Sequence, residues 1–332
     1  MVYETLQAAQ MKKGNNIEGF FILRSANIKT TSGGSPFLLC TLSDATGEIG
    51  GKIWNYADTI HERIGEVIKV RGQVEEYNGS LQINIKLVRP VQESDQVDMS
   101  LVLPTVPFPL EQYKARLESF LNGIQDPGIK SITEHIYAKY GEAFLSWPAA
   151  KSVHHAFPGG LLTHTVNMMS MAVAVDSYYS AALAGFNGGR ILCLDLLLAA
   201  CFCHDIGKLK EFSCASTGLV TDYTLEGNLL GHSALGAQEV LDAARAVGLD
   251  DDDERVTLLR HMLISHHGEA EYGAAVEPLF LEAEILSRLD MMDSRIEIYT
   301  EMLTGSLESG KMAYSNALGH RIYKPVITFG ER

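Results

Sequence analysis

Apolar and polar positions alternate with a period of two through residues 17–92. There Glu18-Gly-Phe-Phe-Ile-Leu, Pro36-Phe-Leu-Leu-Cys-Thr-Leu, Glu48-Ile-Gly-Gly-Lys-Ile-Trp, Glu66-Val-Ile-Lys-Val-Arg-Gly-Gln-Val and Leu81-Gln-Ile-Asn-Ile read as five strands. Ser32-Gly-Gly-Ser, Asp44-Ala-Thr-Gly and Asn78-Gly supply turns between most of them. A short helical stretch, about Ala57 to Ile64, falls between the third and fourth strands. That order is the one expected of a five-stranded Greek-key barrel of the oligonucleotide/oligosaccharide-binding (OB) type.

The period then changes. Glu93 to Pro109 is polar and afterwards proline-spaced (Pro104, Pro107, Pro109), which suits an extended connector. Beyond it, apolar residues recur at three- and four-residue spacing in segments near 111–123, 128–140, 160–184, 190–206, 232–247, 253–266 and 278–303. The fold class expected is therefore mixed α and β. Residues 1–95 form an OB barrel, 96–110 a linker, and 111–332 an all-helical domain.

A chain of 332 residues with 46% hydrophobic composition can bury two cores, so it is globular and not disordered. The longest apolar run, Ile191 to Phe202, contains Asp195 and is followed at once by His204 and Asp205, so no transmembrane segment and no membrane partner is predicted. Met1 to Gln10 lacks a basic stretch leading into an apolar core, and the expected location is the cytoplasm. The five cysteines are odd in number and mostly sit in apolar surroundings, which argues against disulfides. Cys201 and Cys203 lack the two-residue knuckle spacing of a structural zinc site.

The net charge of −14 at first opposes a nucleic-acid partner. Its distribution changes that. Residues 1–95 hold 10 Lys+Arg against 11 Asp+Glu, and the other 17 Lys+Arg and 30 Asp+Glu place −13 on the rest. Carboxylates gathered around a cation site are compatible with a phosphate substrate, because a bound divalent ion inverts the local charge.

The residues that can hold such an ion stand at helix ends. His204-Asp205 follows the apolar helix that reaches Phe202; a carboxylate can bridge two ions where one imidazole nitrogen cannot. His164 opens a long helix after Gly160-Leu-Leu-Thr, and His232 follows Gly231. His266-His267 ends another helix, and Asp290 lies in Leu289-Asp-Met-Met-Asp, with Asp293 one turn on as its competitor. Lys208 stands four residues after His204, where its ammonium can meet a scissile phosphate. His154 and His155 precede a Phe157-Pro-Gly-Gly turn that could aim an imidazole at the leaving group, His155 being preferred. His267 is read as a support for His266 or an extra ligand. In the barrel, Trp54 and Tyr77 are stacking candidates, and Lys52, Lys69, Arg71 and Lys86 are phosphate partners. Phe21 and Phe37 are assigned to the core, because strand alternation turns about half the apolar residues inward.

The order H…HD…H…H…D on helices resembles the HD-domain superfamily of metal-dependent phosphohydrolases. Met11-Lys-Lys-Gly, Glu18-Gly-Phe-Phe-Ile, Leu42-Ser-Asp-Ala-Thr-Gly-Glu-Ile, Lys52-Ile-Trp-Asn, Trp147-Pro-Ala-Ala-Lys and His154-His-Ala-Phe-Pro-Gly-Gly-Leu-Leu-Thr-His-Thr extend the likeness over nearly the full length to the YhaM-type 3′-to-5′ exoribonucleases. The resemblance implies one metal on His164, His204, Asp205 and Asp290 and a second on Asp205, His232 and His266, with Asp205 shared and catalytic. Manganese is the first expectation for one or two ions, while ligand type alone admits iron, cobalt, nickel or zinc. It also implies 3′-to-5′ hydrolysis of single-stranded RNA, or of single-stranded DNA, to nucleoside monophosphates. RNA is the preferred partner, with assembly into a homo-oligomer left open. Two other readings compete: a phosphohydrolase of nucleotides or cyclic dinucleotides, which the barrel argues against, and a non-catalytic nucleic-acid binder, which the intact ligand set argues against.

Overall fold

Strand alternation closes the first part of the chain on itself. β1 (Asn16–Thr30), β2 (Pro36–Asp44), β3 (Gly47–Trp54), β4 (Val67–Tyr77) and β5 (Ser80–Pro90) form a closed barrel in the order β1-β2-β3-β5-β4. Its pairs are antiparallel except β3 with β5, which run parallel. Inward positions at every second residue, among them Ile17, Phe21, Leu38, Cys40, Leu42, Val70, Val74, Ile83 and Ile85, are buried and fill the barrel. Each large side chain removed from water there is worth roughly 1.5–3 kcal/mol. This is the OB barrel that the pattern predicted.

The computed structural model describes residues 3–103, 109–151, 155–185, 190–305 and 307–327. They fall into two units: Met1–Pro107 with Cys214–Thr221, and Phe108–Ser213 with Asp222–Arg332.

Three readings of the barrel unit are corrected. The helix expected over residues 57–64 shrinks to a 3-10 turn, Ile60–Glu62. Phe37 is only half-buried, not core, because it lies at the outer end of β2, opposite Trp54 of β3. The stretch read as linker begins by packing: Met99–Leu101 is a 3-10 turn capped by the Asp98 carboxylate, and Val102 is buried with Ile22 and Leu219. Pro104 and Pro107 lie outside the described residues.

The second unit is built on α1 (Leu110–Gly123), α2 (Pro127–Ser146), α3 (Gly160–Ala182), α4 (Leu194–Cys203), α5 (Lys208–Glu211), α6 (Leu225–Ala246), α7 (Glu254–Ser265) and α8 (Leu281–Thr304). Asp126 caps α2 by accepting from the Gly128 and Ile129 amides, with Pro127 at the first helical position. Past Asp195 in its first turn α4 is apolar on every face, and Leu196 to Cys203 are buried without a break, as a central helix requires. α1, α2, α3, α7 and α8 pack against it, and with α6 they contribute to one core. Two hairpins carried no readable period: β6–β7 (Phe212–Cys214, Val220–Tyr223), whose residues 214–221 belong to the barrel unit, and β8–β9 (Met312–Ser315, His320–Tyr323) in the helical unit. Among the described residues no helix is long and apolar enough to cross a membrane.

Candidate metal centre

The first ligand candidate comes from α3 and the second from the C-terminal end of α4. Inside α3, His164 is fully buried; at the C-cap of α4, His204 is fully buried and followed by Asp205. The chain turns at Ile206-Gly207 straight into α5, and that turn leaves no room for a side chain. A Cβ on Gly207 would stand 2.0 Å from the His232 carbonyl oxygen, so glycine there lets the turn after Asp205 approach the His232 backbone. His232 owes its direction to Gly231, whose φ of 72° breaks α6 and starts its second part. His266 caps α7, and Asp290 and Asp293 project from α8.

These side chains converge. His164 Nε2 lies 3.2 Å from His204 Nε2, 3.3 Å from Asp290 Oδ1 and 4.0 Å from Asp205 Oδ2. Asp205 divides its oxygens: Oδ2 faces His204 Nε2 at 3.3 Å, and Oδ1 faces His232 Nε2 at 3.5 Å. His232, His266 and His267 form a second cluster, each offering a ligand atom within 4.8 Å of the others.

The outer ring nitrogens settle which atoms face inward. A carbonyl can only accept, so Nδ1–H of His204 donates to Cys201 O, that of His266 to Leu263 O and that of His267 to Tyr272 O. Each of these rings keeps a lone pair on Nε2. His232 Nδ1 meets Glu211 Oε1 at 3.2 Å, so the same holds for it, and His164 Nδ1 meets Asp293 Oδ2 at 2.7 Å, which turns its Nε2 toward His204 and Asp290. His232 Nε2 is buried and makes no hydrogen bond, though it points at Asp205. Imidazole nitrogens and carboxylate oxygens converging on one buried point, with His232 Nε2 left without a hydrogen bond, fit a divalent cation.

Electrostatics agree with that fit. Burial opposes charge on His164, but Asp290 and Asp293 outweigh it and raise the imidazole to about 10. A cation at Nε2 supplies the positive charge those carboxylates demand. Burial and the neighbouring imidazoles push His266 and His267 down, which keeps them neutral and ready to ligate. Burial also opposes the charge of Asp290, and His164 overcomes it, holding the carboxyl well below the usual range.

A cleft of about 690 Å3 opens over the centre. Asp205, Lys208, His232, His266, His267 and Asp290 lie on its floor. Tyr223 and Tyr272, Lys151 and Arg295, and the β8–β9 residues Ala317 and Leu318 line its walls. Lys208 does face the cleft, with Nζ 2.7 Å from Asp205 Oδ2. His155 does not: its imidazole is buried behind His164 and donates from Nε2 to Asp293 Oδ2 at 2.8 Å, so the expected contact with a leaving group is replaced by a contact with Asp293. His154 lies outside the described residues. Asp290 faces His164 Nε2 while Asp293 stands behind on Nδ1, which separates the two competing aspartates.

The barrel candidates divide in a similar way. Lys52 stacks its ammonium over Trp54, 3.7 Å from the ring centroid, and over Phe37 at 4.5 Å, and the two rings are 5.4 Å apart. Tyr77 is exposed beside the Asn78-Gly79 turn, and Lys86 is exposed on β5. Lys69 and Arg71 pair with Glu18 at 3.1 and 2.6 Å and so belong to a barrel ion-pair network.

The residues sequence reasoning missed are those that hold the ligands. Glu211 is one, and Asn167, whose Nδ2 donates to Asp293 Oδ1 at 3.0 Å, is another. Glu211 lies six residues beyond Asp205, past the Ile206-Gly207 turn and on no common helix face with it, and so carries no signal.

The family model of the HD domain matches residues 161–295. The chain is 33% identical over 316 residues to the 3′-5′ exoribonuclease YhaM of Bacillus licheniformis, covering 94% of this chain and 96% of that protein. It is 33% identical over 292 residues to its counterpart in Bacillus subtilis, covering 87% and 88%. Among solved structures, a domain of replication protein A from Methanococcus maripaludis covers 27% of this chain and 97% of its own, at 20% identity and a TM-score of 0.23.

Proposed function

Because the chain belongs to the YhaM family of 3′-5′ exoribonucleases, a hydrolytic nuclease with an HD domain, we propose that it shortens single-stranded RNA from the 3′ end and releases nucleoside monophosphates. The proposal includes divalent ions, manganese first, on His164, His204, Asp205 and Asp290 and on Asp205, His232 and His266. The observation that carries it is Asp205, whose two oxygens face two imidazole clusters, one of them through a buried His232 Nε2 that makes no hydrogen bond.

Divalent ions at such a centre supply an activated water near neutral pH and positive charge opposite the phosphodiester oxygens. The rest belongs to the chain. Asp205 ties the two clusters together, so both act on one phosphate. Lys208, beside Asp205 in the cleft, adds a cation at the same place. Tyr223 and Tyr272 offer flat faces for the terminal base, and Lys151 and Arg295 offer charge for the phosphate upstream. On the barrel, Phe37, Lys52 and Trp54 make a platform on which further bases stack.

The test is direct. Purified protein with manganese and RNA labelled at its 5′ end should give a ladder that shortens progressively from the 3′ end, and DNA of equal sequence should be cut more slowly. No shortening, while a control nuclease digests the same RNA, would overturn the reading.

A further inference from the structure

Every imidazole facing the centre is held at Nδ1, but the holders differ in kind. His204 and His266 lean on carbonyls three residues back in the chain, Cys201 and Leu263. Those contacts come with the helix end itself. His164 and His232 instead meet carboxylates brought from elsewhere, Asp293 from α8 and Glu211 from α5.

Both carboxylates are themselves fixed. Asp293 is 5% exposed; Oδ2 meets His164 Nδ1 and His155 Nε2, and Oδ1 accepts from Asn167 Nδ2. His155 holds a left-handed backbone with φ 49°, a conformation that costs a non-glycine residue free energy and that its surroundings must enforce. Glu211 is 6% exposed, and its Oε1 accepts from the His232 amide at 3.0 Å as well as from the ring. It thereby sets both the ring of His232 and the backbone that restarts α6 after Gly231. Neither contact reaches the other cluster.

The two clusters also differ in donors. One offers two imidazoles with Asp205 and Asp290, and the other offers three imidazoles with Asp205. Resting on the metal-dependent reading above, we propose that the centre is two inequivalent sites, each aligned by its own buried positioning residue, Asp293 for the His164 site and Glu211 for the His232 site. The oxygen-richer site suits manganese. The nitrogen-rich site favours later first-row ions such as cobalt or zinc.

Metal binding to the full-length, chelator-stripped protein tests this without reference to RNA. Manganese titration followed by electron paramagnetic resonance, and cobalt titration followed by visible absorption, should resolve two binding classes with opposite preference for the two ions. Glu211→Gln should weaken the class that favours cobalt by about 10–100-fold and leave the other within about threefold, and Asp293→Asn should do the reverse. Glu211→Asp and Asp293→Glu keep the charge and change the reach, so they should give the same split even where the amide variants fold poorly. Loss of both classes together, or no change in either, in folded variants would overturn the proposal. RNA shortening is read separately: an intact split in a protein that never shortens RNA sinks the proposed activity and leaves the two sites standing.

Discussion

At the scale of single residues, Asp205 is the one shared element, and its charge is defended. Burial works against ionisation, but Lys208, His204 and His232 hold the carboxyl well below the usual carboxylate range. Asp205→Asn keeps the shape, removes the charge and turns one oxygen into a donor facing lone pairs. Turnover of 5′-labelled RNA should fall on the order of a thousandfold, about 4 kcal/mol in the barrier, and bound metal should fall with it. Unchanged metal content in a folded Asp205→Asn protein would show that the carboxylate does not link the clusters. Lys208→Met, which removes only the ammonium, should slow turnover while metal content holds, because no ring nitrogen depends on it.

The elements explain why these residues meet, and why only part of that was legible beforehand. Gly207→Ala should displace the His232 backbone, since its Cβ would need to lie 2.0 Å from the carbonyl oxygen; overpacking of this kind costs roughly 1–3 kcal/mol. A fall in melting temperature accompanied by weaker binding at the His232 site, and not at the His164 site, is the expected outcome. α7 offers a control at its other end. Asp253 caps it by accepting from the Arg255 amide and pairs with the Arg255 guanidinium, which with the amide bonds outweighs burial and lowers its carboxyl to about 2. A lowered folded-state value means that the stabilisation is complete above the ordinary value of 3.8 and is lost as pH falls through about 2. Asp253→Ala should therefore cost about 1 kcal/mol near pH 7 by denaturant unfolding, and the difference should disappear in strong acid. Helices with a clear apolar period, and the His-Asp pairs at their ends, were readable because period and ligand chemistry are local properties. The ligand holders were not. Glu211 and Asp293 act across elements through packing, Lys69 and Arg71 found a partner in Glu18 on the neighbouring strand, and the two hairpins are too short to show a period.

For the whole molecule, removal of the barrel is the obvious test of its role, and the chain's own path makes it a poor one. Residues 214–221 return from the helical unit to the barrel unit, where Leu219 is buried with Ile22 and Val102. A chain cut after residue 95 would lose Ile22 and leave Leu219 bare, so lost activity would not separate strand capture from misfolding. Substitutions on the outer barrel face avoid this, because Trp54 is 47% exposed and holds no core contact that its removal would empty. Trp54→Ala should weaken single-stranded RNA binding by about 1–3 kcal/mol, the worth of one stacked base, with little change in melting temperature. Lys52 carries the charge at the same platform, while Lys69 and Arg71 are already paired. Lys52→Ala should thus flatten the dependence of log affinity on log salt by about 0.7, the share of one phosphate on a single strand, and the corresponding change at Arg71 should flatten it less. Equal salt slopes for the Lys52 and Arg71 variants would move the strand off this face. On the proposed activity, a barrel whose charges nearly cancel would hold RNA by stacking and a few contacts and leave it free to advance between cuts, as removal of one nucleotide after another requires.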